Sequence, residues 1–301
     1  MKKIISTIFF IFFATSVFSA EPLVDVSWLN KNLNNKKIFI LDIRNKIDNG
    51  SYETFKLAHI PGSVHSDYLK GGWRAEIKGV VGQYPGTKHL EQLIGGLGID
   101  NSKHVVIVYG GANSTDFGSA ARIYWTFKTL GHQEVSILNG GFNAWQKAGL
   151  KTEAGENKIT PSKFVAKFDK RYLADYKEVR DARRDRNGYT LIDARPVEFF
   201  KGEKKFATIE RAGTIPTAKN LQESALIDTN SSIKSADEIK QLVKAADLKA
   251  KKGFVTFCNT GHWAATVWFG LSEIAKVPNV KMYDGSMAHW TINPKNEVIK
   301  G

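Results

Sequence analysis

Apolar residues along this chain fall into short continuous runs that alternate with longer stretches of helical spacing. Residues 38–41, 105–109, 191–192 and 254–257 are runs too short for a helix, so each reads as a buried strand. After the second run, Ala120, Tyr124, Phe127 and Leu130 recur at helical spacing, and after the last, Trp263, Val267, Leu271 and Ile274 do the same. Residues 173–186 predict one more helix. Strand followed by amphipathic helix, repeated, predicts an α/β fold with parallel sheets carrying helices on both faces. The aromatic members of those helical stripes read as packing against the sheets.

The pattern also repeats. Asp42-Ile43-Arg44 returns as Asp193-Ala194-Arg195, and the turn His59-Ile60-Pro61-Gly62 returns as Thr214-Ile215-Pro216-Thr217. The apolar run 105–109 returns as 254–257, and Leu138-Asn139-Gly140-Gly141-Phe142 returns as Tyr283-Asp284-Gly285-Ser286-Met287. Four landmarks in the same order, 145 to 155 residues apart, mark a tandem duplication. Domains are therefore expected at 21–150 and 171–301. Residues 151–170 join them, and their polar part, with Gly155 and Pro161, fits a surface linker.

Composition narrows the classes that remain. A chain of 301 residues with 42% hydrophobic and 24% charged residues is neither disordered nor fibrous. Lys2 and Lys3, an apolar stretch to Phe18, and small Ser19 and Ala20 form an export signal at residues 1–20. Cleavage is expected after residue 19 or 20, which puts the mature protein in the periplasm and off the membrane. An uncleaved anchor is the alternative reading. Basic residues exceed acidic ones by 13 but are scattered, so they read as solvated faces and not as a nucleic-acid surface. No spacing of His, Asp or Glu reads as a metal site and no glycine-rich nucleotide loop is present, so no cofactor is expected.

One cysteine stands in the whole chain, which excludes an intramolecular disulfide. Cys258 directly follows the strand 254–257 and opens the loop Asn259-Thr260-Gly261-His262-Trp263 ahead of a helix. Ligands of open parallel sheets bind at such carboxyl ends of strands. The N–H groups of the loop and first helical turn have no intrahelical acceptors. Converging on the sulfur, they would stabilise a thiolate and any anion brought against it. That makes Cys258 a candidate nucleophile, with a buried packing thiol as the plain alternative.

These motifs together resemble the two-domain rhodanese sulfurtransferases, the thiosulfate and 3-mercaptopyruvate sulfurtransferases, over nearly the whole mature chain. The likeness rests on residues 40–44, 58–63, 120–125, 130–132 and 138–145 in the first half. In the second it rests on 191–195, Cys258 with its loop, and Tyr283-Asp284-Gly285-Ser286. It implies two tandem rhodanese-like domains of which only the second is catalytic, because Gly110 stands where the first would need a nucleophile. It implies that Cys258 accepts a sulfane sulfur from a small donor as a persulfide and passes it to cyanide, a thiol or a periplasmic protein. Arg195 matches the arginine that family members place near the cysteine to hold an anionic donor, with an ion pair inside its own domain as the alternative. Asn259, Thr260, Gly261, His262 and Trp263 are the other candidate substrate-binding residues, His262 as a hydrogen-bond donor or proton shuttle.

The loop departs from both donor types of the family. Thiosulfate-type members carry cationic residues after the cysteine, and mercaptopyruvate-type members a small Gly-Ser/Thr-Gly-Val-Thr run. Here Thr260 and Gly261 lean toward the second type, and Trp263 belongs to neither. Cysteine phosphatases and arsenate reductases need an Arg six residues after the cysteine, and Ala264 stands there. A non-enzymatic sulfur carrier built on the same thiol is the remaining alternative.

Overall fold

The computed structural model describes residues 20–301. The expected export signal lies outside them, except for its last residue. The first half contributes β1 (Leu23–Val24), β2 (Ile38–Asp42), β3 (Val64–His65), β4 (Ala75–Ile77), β5 (Val80–Gln83), β6 (His104–Val108) and β7 (Val135–Leu138). Five of these form a parallel sheet ordered β1-β7-β6-β2-β3, while β4 and β5 pair antiparallel beside it. The second half contributes β8 (Tyr189–Asp193), β9 (Lys219–Asn220), β10 (Gly253–Phe257) and β11 (Val280–Met282), parallel in the order β11-β10-β8-β9. That order repeats β7-β6-β2-β3 strand for strand, so the duplication seen in sequence is a duplication of topology. Even β1 has a remnant: Leu173 makes a single parallel bridge to Met282.

That bridge corrects one expectation. Residues 173–186 are not one helix, because Leu173 is extended and the helix spans only Tyr176–Ala182. Asp175 starts it. Its carboxylate accepts the Glu178 N–H at 2.8 Å while the Glu178 carboxylate accepts the Asp175 N–H at 3.0 Å, and this reciprocal box fixes the helix start.

Both faces of each sheet are covered, and side-chain alternation shows how. Along β6, Val106 and Val108 pack with Val24, Leu29 and Trp145 on the outer face. Val105 and Ile107 point the other way, into a core that also takes Ile192, Phe254, Val267 and Trp268 of the second half. One hydrophobic core therefore runs through the domain boundary. At its centre the helix Ser114–Thr129 packs on the helix His262–Phe269, with Tyr124 edge-on to Phe269 at 4.9 Å between ring centroids. Each of these helices follows the central strand of its own sheet, so their packing brings the two strand-end loops face to face. The segment 151–170 is strapped to the first domain. Ser162 N–H donates to Gly95 O, Lys167 N–H to Leu130 O and Asp169 N–H to Thr129 O, each at 2.8 Å.

Candidate active site

Cys258 leaves β10 as the first residue of its loop and is 1% exposed. Its N–H donates to Ser286 Oγ at 3.0 Å and its carbonyl accepts from Met287 N–H at 3.0 Å. The Asp284-Gly285-Ser286 turn thus fixes the backbone on which the thiol sits. The N–H groups of Asn259, Thr260, Gly261 and His262 have no acceptor among the described residues. Four free donors beside a thiol form a ready cradle for negative charge. Cys258, Asn259, Thr260, His262 and Trp263 border a cavity of about 210 Å³, closed on its other sides by Ile47, Arg74, Thr115 and Phe206.

Three of those closing residues belong to the first domain, and that domain also sets the shape of the Cys258 loop. Arg74 Nη2 donates to Thr260 O at 2.5 Å, and Arg122 Nη1 to Gly261 O at 3.2 Å. Arg122 also forms a buried ion pair with Asp284, whose other oxygen accepts the Tyr84 N–H at 2.6 Å. Gly261 has φ +79°, and a Cβ there would meet the Arg122 guanidinium and come within 2.7 Å of the Asp284 carbonyl oxygen. The turn therefore needs glycine both for its backbone and for its neighbours. These contacts join residues far apart in sequence, so no local pattern announced Arg74, Arg122, Tyr68 or Thr115 as site residues. Arg122 was visible only as part of a family motif.

His262 is not placed for proton transfer. Its Nε2–H donates to Thr115 O at 2.7 Å, and its Nδ1 accepts from the Tyr68 hydroxyl at 2.8 Å. Burial, helped by the nearby Arg74 charge, pushes its pKa down to about 3. A neutral ring with both nitrogens engaged is an interdomain strut. Gly118 makes room for it, since a Cβ there would lie 2.8 Å from Nε2. Trp263 lies beside it, with Nε1–H donating to Thr115 Oγ1 at 3.1 Å and its ring bordering the cavity.

Arg195 lies behind the loop, 1% exposed, and is not among the cavity residues. Its Nε and Nη2 form a fork on Asp193 at 2.8 and 2.6 Å, Nη2 also reaches Gly213 O at 2.7 Å, and Nη1 reaches Asn259 Oδ1 at 3.4 Å. The structure therefore brings Cys258, Asn259, Thr260, Gly261, His262 and Trp263 together and leaves Arg195 supporting them from beneath. Arg44 makes the same fork on Asp42 in the first domain, so Asp-x-Arg is a feature of the fold.

The matching loop of the first domain is closed, and it corrects the expectation for Gly110. Val108 pairs with Asp42 as Phe257 pairs with Asp193, and the Tyr109 carbonyl accepts from Phe142 N–H as the Cys258 carbonyl accepts from Met287 N–H. Tyr109 therefore stands where the first domain would need a nucleophile. Asp116 Oδ2 accepts the Gly111 and Ala112 N–H groups at 2.7 and 3.0 Å. Asp48 packs against Gly110, where a Cβ would come within 2.6 Å of its own Cβ. Burial and the neighbouring Asp48 charge push the Asp116 carboxyl up to about 7.

A parallel sheet order stated twice and a strand–Cys–loop–helix at one of two equivalent strand ends define the class. Residues 25–148 and 175–293 both match the rhodanese-like domain, and the chain belongs to that family. It is 30% identical to the thiosulfate sulfurtransferase of Gallus gallus over 79% of this chain and 80% of that protein. It is 27% identical to the sulfur carrier protein TtuD of Thermus thermophilus, over 90% and 93% respectively. The crystal structure of SseA from Escherichia coli, a 3-mercaptopyruvate sulfotransferase, superposes with a TM-score of 0.74 at 27% identity, over 90% of this chain and all of that one.

Proposed function

We propose that this protein is a sulfurtransferase that works by double displacement through a persulfide on Cys258. The observation that carries the reading is the chain's single thiol, set at a cavity wall beside four loop N–H groups that no acceptor among the described residues uses. The Cys258 thiolate attacks the transferable sulfur of a small donor. The bond between that sulfur and the rest of the donor breaks, and its electron pair leaves with the departing group. The outer sulfur of the persulfide carries the negative charge, and the loop N–H groups stabilise it. A nucleophile, cyanide or a thiol, then attacks that outer sulfur, and the S–S bond breaks to return the thiolate.

Thiocyanate formation from cyanide, with thiosulfate or 3-mercaptopyruvate as donor, tests the reading. Turnover that vanishes in Cys258→Ser is expected, and turnover that survives it would sink the assignment. The likeness to TtuD supports a second reading, in which the same persulfide is held for a protein acceptor. A stable persulfide with no small-molecule turnover would favour that carrier role. The sequence of residues 1–20 supports export to the periplasm, and a mature N-terminus at Ala20 or Glu21 is the result expected from that compartment.

A further inference from the structure

We propose that Arg74, carried by the N-terminal domain, binds the anionic end of the sulfur donor over Cys258. The inference rests on the sulfur-transfer reading above and assigns the donor's counter-charge to the domain that lacks a nucleophile. Arg195 does not fill this role, because its fork is spent on Asp193 and Gly213 beneath the loop. His262 is neutral. Among the residues bordering the cavity, Arg74 is then the one cation.

Its geometry fits the task. Arg74 Nε donates to Gly82 O at 3.0 Å and Nη2 to Thr260 O at 2.5 Å, and the guanidinium lies 5.7 Å from the Tyr68 ring centroid. Gly82, at φ +79°, allows this approach, because a Cβ there would collide with the guanidinium. Of the five N–H groups on the fork, two are fixed on carbonyls and one faces the Tyr68 hydroxyl. The others are left for a ligand. Anchored in this way, the guanidinium is already oriented, so a bound anion orders little further.

The rest of the cavity decides what kind of anion suits it. Ile47, Phe206 and Trp263 make its walls largely apolar. One guanidinium matches one negative charge. A carboxylate on a short carbon chain is satisfied there, whereas a dianion keeps a second charge facing apolar walls. The donor class this favours is a sulfur-bearing carboxylate over thiosulfate. Because the same guanidinium holds Thr260 O, donor binding also tightens the loop that carries Cys258.

Pyruvate, which has the carboxylate and no transferable sulfur, is the probe. Calorimetric titration into the Cys258→Ser protein should show binding that weakens about tenfold or more in Cys258→Ser/Arg74→Gln, the loss expected of a charge-assisted hydrogen bond. With Cys258 present, Arg74→Gln should raise KM for 3-mercaptopyruvate by a similar factor while kcat stays within about threefold. Arg74→Lys should recover part of the affinity. Unchanged KM and unchanged pyruvate affinity in folded Arg74→Gln would overturn the proposal. If that variant loses its interface, the protein with Arg74 intact still decides the matter. Pyruvate should bind about tenfold or more tightly than neutral pyruvamide, and equal affinity, or binding of neither, overturns it. Turnover surviving Cys258→Ser would instead defeat the persulfide reading, and the pyruvate titrations, which need no turnover, would still judge Arg74.

Discussion

The two strand-end loops of this molecule began as copies and now do opposite things with the same backbone. After β6 the chain reads Tyr109-Gly110-Gly111, and after β10 it reads Cys258-Asn259-Thr260. In the first, Asp116 supplies its own carboxyl oxygen to the loop N–H groups, and Asp48 fills the space a side chain at position 110 would need. In the second, the third residue of the helix that follows, where Asp116 stands in the first, is the buried Ala264, and the loop N–H groups have no acceptor among the described residues. An internal carboxylate turns an anion cradle into a structural turn. Removing it, and placing a thiol at the strand end, leaves an open cradle beside a nucleophilic group, as the proposed sulfur transfer requires.

Restoring the plug is the sharpest way to break this contrast. Ala264→Asp should cost sulfur transfer a hundredfold or so, the order found when anion-stabilising donors are lost. Circular dichroism and a thermal melt would show that the fold persists. Near-normal kcat in that folded variant would mean the loop N–H groups do not stabilise charge. An effect on stability, not on rate, tests the support that the first loop's domain gives the second. Arg122→Ala leaves Asp284 buried without its partner and should destabilise the protein by about 3–5 kcal/mol, read from denaturant unfolding.

A third test concerns the seam between the loops, where Glu223 accepts from Ser114 Oγ at 3.1 Å and burial pushes its pKa up to about 7. A raised acid pKa means the folded state holds the proton more tightly than the unfolded chain does. Its contribution is therefore complete below the ordinary glutamate range and is lost as pH rises through about 7. Glu223→Gln, which stays neutral, should match the parent near pH 5 and be more stable by about 1–3 kcal/mol at pH 8, measured by calorimetry across pH. A constant difference across that range would contradict the assignment. His262 works in the other direction, since a depressed pKa costs stability as pH falls below its ordinary value.

The smallest effect is expected at the plug itself. Asp116→Ala frees the Gly111 and Ala112 N–H groups, and water reaches the exposed Ala112, so stability should change by about 1 kcal/mol or less. With tyrosine and no thiol at position 109, kcat should stay within about threefold. A tenfold change would mean that the first loop takes part in the reaction.

The fold was legible because it depends on periodic signals. The runs 105–109 and 254–257 are apolar on both faces, as buried parallel strands must be, and the repeat gave the second domain from the first. Cys258 was legible for the same reason, since its place at a strand end followed from the strand. Arg195 was misleading in one respect: its motif is real, but the fork belongs to Asp193, as Arg44 belongs to Asp42. A pairwise geometry two residues apart cannot be told from a ligand-binding one by spacing alone. The residues that complete the cavity from the first domain, Arg74 above all, were invisible. Nothing in a single chain says which residue, 186 positions away, will reach Thr260.

The central claim is most directly tested by intact-mass spectrometry of the protein treated with donor alone, followed by peptide mapping. One added sulfur atom on the Cys258 peptide, discharged by cyanide with an equal amount of thiocyanate and absent from Cys258→Ser, is the predicted result. Turnover without any sulfur carried on Cys258 would contradict it.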